Sequence, residues 1–135
     1  MKLEFLNNFA DPYMQTAAGR GVFLAGVVLG MVAQGQSKDG NLEGTPLFKQ
    51  MTFGRMKGRD LKRHLARVPE LVKAYDIKYK DIIRKLAAYA GELILQEKSF
   101  ELGVDGNFAF ATGFINAREY FWAIFSKQQT DQITN

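Results

Sequence analysis

Seven side chains between Lys49 and Arg67 carry the chemistry this sequence offers most plainly. Lys49, Arg55, Lys57, Arg59, Lys62, Arg63 and Arg67 are set against one acid, Asp60, and four of the seven are Arg. A guanidinium is a planar fork that meets phosphate oxygens pairwise, whereas an ammonium acts as a point charge. Over residues 46–85, twelve Lys/Arg face four Asp/Glu, a net of +8; the remaining six bases and ten acids carry −4. The formal total of +4 therefore conceals a polarised molecule whose positive sector attracts polyanions, nucleic acid first among them. The competing reading is a solvated basic helix face.

Catalytic patterns are missing. His64, the only histidine, has no second His at ligand spacing, and Lys62, Arg63 and Arg67 around it disfavour a proton. A surface polar or phosphate contact is the expectation for it, rather than a metal-ligand or general-base role. The acids form none of the Glu-x-x-His, His-Glu-x-x-His or Asp-x-Asp patterns, and Glu92, Glu97 and Glu101 read as a solvated face. With no Cys, disulfides, thiolate zinc and thiol catalysis are excluded, and an oxidising compartment gains no support. Gly19-Arg20-Gly21 lacks a preceding strand and has Leu24 where a dinucleotide fingerprint needs Gly. Gly35 to Gly40 has a phosphate-loop gap, but Asn41 and Leu42 stand where Lys and a hydroxyl belong. No enzyme activity, cofactor or metal is expected. Phe48, Phe53 and Tyr75 interleave with the basic run and are the candidates for stacking on bases.

The elements that must position these residues are helical. Residues 1–10 form a lead-in without clear period. Asp11-Pro12 reads as a cap followed by a first-turn Pro, opening a helix to about Ala33. Within it, Gly21 to Ala33 is an apolar run of thirteen residues, too short to cross a bilayer and best read as a core helix. Gly26 and Gly30 share one face and permit close approach of another helix. A polar, glycine-rich loop follows, from Gly35 to Gly44. Thr45-Pro46 opens a short helix to Met51, and Arg59 to Arg67 forms the basic one. There Leu61, Leu65 and Val68 are the apolar stripe, and Arg59, Arg63 and Arg67 form a ridge beside it. Leu71, Val72 and Tyr75 continue after Pro69. A long helix is expected over Lys78 to Phe100 and a last one over Asn107 to Lys127. The last carries Phe110, Phe114, Phe121 and Phe125 on one stripe, with Phe108, Ile115 and Trp122 alongside. Gly103 to Gly106 reads as a turn, and residues 128–135 as a polar tail. No segment alternates like a strand. The expected fold is all-α: one domain over residues 1–135, an antiparallel helical bundle of about five to six helices.

Four features, in this order, carry a family resemblance. They are Gly26-Val-Val-Leu-Gly30 followed by Gln34 or Gln36; Thr45-Pro46-Leu47-Phe48; the basic helix Lys57 to Arg67 with Pro69-Glu70-Leu71 and Tyr75; and Gly106-Asn107-Phe108-Ala109-Phe110-Ala111-Thr112-Gly113. Over residues 20–125 they resemble the carboxy-terminal domain of the large subunit of type I-B CRISPR effector (Cascade) complexes. That domain is also made as a separate small subunit from an internal start. The resemblance implies a non-catalytic, antiviral-defence protein; the cytoplasm is the location expected from the composition. Its implied partners are the large and backbone subunits, adjacent copies of itself, and the R-loop of crRNA and target DNA, with no membrane. It implies contact with DNA strands through basic patches that help hold the R-loop open. The start at Met1 fits the freestanding form. The seven basic residues match the family only as a charge pattern, and the Gly and Phe residues read as packing. In an R-loop, base pairing reads sequence and protein grips backbone, which suits a basic ridge. The alternative is a helix-turn-helix duplex-DNA regulator built from Thr45–Met51 and Arg59–Val68, although Thr52 to Gly58 makes a long turn.

Overall fold

The apolar run becomes the axis of the molecule. In a computed structural model, which describes residues 1–98 and 100–125, it lies inside α1 (Ala17–Gln36). The expectation that this segment is too short to span a bilayer is corrected. The helix has 20 residues and is long and apolar enough to do so, but 83% of its most apolar window is buried inside the protein. Side chains from other helices cover it on all sides, and a helix that is apolar all round is stable only in such a setting.

Six further α-helices surround it among the described residues, with no strand. They are α2 (Pro46–Gln50), α3 (Gly58–Ala66), α4 (Val68–Ala74), α5 (Lys80–Leu95), α6 (Gly103–Ile115) and α7 (Ala117–Ile124). The all-α bundle expected from periodicity is what forms. Its largest interfaces join α1 to α6 and to α5. Gly21 and Gly35 of α1 face Ala90–Ile94 and Ile77 respectively, so α5 runs antiparallel to α1. Gly26 and Gly30 face Phe110–Phe114 and Phe114–Ala117, so α6 runs parallel to it. The α1–α6 crossing is as close as the glycines predict. A Cβ on Gly30 would sit 2.5 Å from the Phe114 carbonyl oxygen, and Gly113 of α6 returns the approach against Phe23 and Val27.

Several boundaries differ from the sequence expectation. Asp11 does cap Pro12, accepting the Tyr13 N–H at 3.0 Å, but the element it opens is a short 3-10 turn, Pro12–Gln15. Thr16 then caps α1 by accepting the Gly19 N–H at 2.9 Å. The lead-in also folds: Leu6 is buried, and Phe5 and Phe9 join Phe23 and Tyr120 in an aromatic cluster. Thr45-Pro46 opens α2 as expected, and the buried Gln36 side chain ties it to α1 by accepting the Leu47 N–H at 2.9 Å. The long helix ends at Leu95 rather than Phe100, and Gly103 to Gly106, expected as a turn, is the first turn of α6. The last helix breaks at Asn116 into α6 and α7, which gives seven helices among the described residues rather than five or six. Its expected end at Lys127 and the polar tail 128–135 lie outside the described residues.

Phe110, Phe114, Phe121 and Phe125 are buried, as their spacing requires. Phe108 and Ile115, expected beside them, are instead 69% and 62% exposed. They share an outward face of α6 with Val104, because the close α1 crossing selects the opposite face for burial.

Candidate nucleic-acid interface

The basic helix is held by its own inner face. Leu61 and Val68 are buried and Leu65 half-buried, so the stripe read from spacing anchors α3 and the start of α4. Asp60, the single acid of the run, accepts the Lys57 N–H at 3.2 Å in the first turn of α3. A carboxylate there satisfies an otherwise unpaired donor and complements the helix dipole. With the inner face committed, Arg59, Arg63 and Arg67 are all exposed on the outer one. Arg63 bridges to Asp60 at 3.3 Å, an exposed pair worth little in water and easily exchanged for a phosphate. Arg67 donates to the Gln50 side chain at 3.4 Å, which joins the ridge to α2 beside the exposed Lys49. Lys62 turns to the other flank, its Nζ 5.6 Å from the Phe100 ring centroid.

Arg55 and Lys57 stand on the connection between α2 and α3, and both are exposed. That connection is pinned by a residue the charge pattern does not reveal. The Asn107 carboxamide accepts the Met56 N–H at 2.7 Å and donates to the Met56 carbonyl at 3.1 Å and the Gly103 carbonyl at 2.8 Å. In the sequence Asn107 reads only as part of a packing motif. A signal for its role is nonetheless present, since it lies beside Gly106 and Phe110 on the core side of α6, where a buried amide requires partners. All seven predicted basic residues are thus exposed, on α2, on α3, on the segment between them and, for Arg67, at the junction of α3 with α4.

Two expectations at this surface are corrected. His64 is buried, 5% exposed, rather than a surface or phosphate contact. It falls on the Leu61 side of α3, and its Nδ1 has no hydrogen-bond partner. Burial, with Arg63 next in effect, lowers its pKa. Phe48 and Phe53 are half-buried and pack on each other (5.3 Å between centroids) and on Phe114, so they serve the core rather than bases. Tyr75, 43% exposed, keeps its ring available. Among the described residues no cluster of His, Asp and Glu could hold a metal ion.

Residues 2–128 match the family described as the C-terminal domain of CRISPR-associated protein TM1802. No curated protein and no solved structure matches the chain.

Proposed function

Because the chain belongs to the family of the CRISPR-associated protein TM1802 C-terminal domain, we propose that it acts as a non-catalytic subunit of a type I-B effector complex in the cytoplasm. In this reading it grips nucleic-acid backbone within the R-loop of crRNA and target DNA. It works beside the large and backbone subunits and adjacent copies of itself. One observation carries the nucleic-acid part: a ridge of Arg59, Arg63 and Arg67 faces outward from a helix whose inner face is packed. Support for protein partners comes from the outward apolar face of α6, where Val104 is 87% exposed. A base-reading helix-turn-helix has less support, since α3 presents no Asn or Gln and its exposed charges suit phosphate.

The ridge is tested by changing Arg59, Arg63 and Arg67 together to Ala and measuring DNA binding against salt. Every phosphate no longer gripped lowers the log–log slope by about 0.7 on single strands. The expected result is weaker binding, or weaker R-loop formation by the assembled complex, of similar size on every DNA sequence. Unchanged affinity and slope would leave the ridge as a solvated face. A loss that depends on sequence would favour the helix-turn-helix.

A further inference from the structure

We propose that the end of the bundle where α1, α7 and the segment entering α5 converge holds a pocket for one unpaired nucleotide. The cavity there has a volume of about 430 Å³, and Gln34, Ile77, Lys78, Tyr79, Arg118 and Trp122 contribute to its lining. A second cavity, about 380 Å³, shares Gln34 and Arg118 with it and adds Ser37. Volumes of this size are those of small-ligand sites.

The lining supplies each part of nucleotide recognition. Tyr79 and Trp122 meet edge to face at 5.0 Å and give the cavity aromatic walls, on which a base of any sequence can stack. Gln34 brings an amide that both donates and accepts, as a base edge requires. Arg118 makes no ion pair among the described residues, and Lys78 holds its Nζ 5.1 Å from the Tyr79 ring centroid. The Arg118 charge is therefore available to a phosphate, while the Lys78 ammonium rests on the Tyr79 ring. In the adjoining cavity the Ser37 hydroxyl is buried without a hydrogen-bond partner, an arrangement that is costly unless something polar meets it. Of the acids nearby, Asp76 forms an exposed pair with Lys80 at 3.7 Å, and Asp39 accepts the Asn41 N–H at 2.9 Å.

The backbone adds an independent sign. Tyr79 has φ +65° and Asp76 φ +48°, a left-handed conformation that costs non-glycine residues energy and concentrates at functional sites. Tyr79 in this conformation stands at the entry to α5, where it meets Trp122. In sequence, α4 leads from the arginine ridge to this pocket, with Lys73 exposed on it and Tyr75 exposed just past its end.

The proposal rests on the nucleic-acid reading, and Trp122 allows the two to be tested apart. It is the only Trp in the chain, so its fluorescence reports on this pocket alone. The intact protein is titrated with oligothymidylate, an abasic oligomer of equal length, and thymidine monophosphate, while anisotropy follows total binding. The expected result is quenching of Trp122 by oligothymidylate and not by the abasic oligomer. Arg118→Ala, at an exposed position, weakens that quenching by about tenfold with helicity unchanged. Tighter binding of the oligomer than of the monophosphate assigns the pocket to a strand, and equal binding assigns it to a free nucleotide. The proposal is overturned if the abasic oligomer quenches equally, if Arg118→Ala has no effect, or if Trp122 stays silent while anisotropy shows bound DNA. In that last case the ridge reading survives. Quenching that persists in the triple ridge variant, with its salt slope unchanged, would keep the pocket and sink the ridge.

Discussion

Asn107 and His64 are both buried polar side chains, and they differ in how the protein meets them. Asn107 has three hydrogen bonds to backbone, two of them to Met56 on the segment that carries Arg55 and Lys57. Asn107→Ala leaves buried Met56 groups unpaired and is expected to lower stability by about 1–3 kcal/mol in urea unfolding. An unchanged midpoint would mean that water replaces the amide freely. His64 instead has an unpartnered Nδ1 and a pKa pushed below the ordinary 6.5, first by burial and then by Arg63. As pH falls through that ordinary value, the unfolded chain takes up a proton on His64 that the folded chain resists. Stability is therefore retained above about 6.5 and lost below it. Urea unfolding from neutral into mildly acid pH should show this decline, and His64→Leu should flatten it. An equally steep decline in the variant would assign the acid sensitivity to other groups.

Among the elements, the α1–α6 pair is held at a distance only glycine permits. Gly26 and Gly30 meet Phe110, Phe114 and Ala117, and Gly113 meets Phe23 and Val27. Gly30→Leu overpacks this crossing and is expected to cost about 1–3 kcal/mol, read as a lower melting temperature. Gly91 on α5 is the internal control, because a Cβ there meets nothing within 4 Å. Gly91→Ala should raise stability by about 0.5–1 kcal/mol through helix propensity alone. Equal effects at the two positions would mean that glycine content, rather than crossing distance, governs the bundle.

For the whole molecule, the separation of a +8 sector from a −4 remainder makes long-range attraction to a polyanion a property of the fold's surface, not of one side chain. No metal-holding cluster exists among the described residues. We therefore expect pure protein to show no hydrolysis of DNA or RNA with any divalent cation. Cleavage that survives purification and disappears on changing one Asp or Glu would refute the non-catalytic role.

Helix class, core stripes and the basic ridge are legible in the sequence because each is a periodicity. Leu61 and Val68 had to face inward and Arg59, Arg63 and Arg67 outward, whatever the partners of α3. The Gly26–Gly30 face likewise announces a close crossing. Periodicity says which residues share a face, but not which of two apolar faces a crowded molecule will bury. On α6 that choice fell to the glycine crossing with α1, which left Phe108 and Ile115 outside. Burial of His64 depended in the same way on what packs beside Leu61, and the flanking charges pointed the other way. Asn107 meeting Met56, and Gln34, Tyr79, Arg118 and Trp122 lining one cavity, join segments far apart in sequence. Local spacing holds no record of such meetings; only the packing of α5, α6 and α7 around α1 creates them.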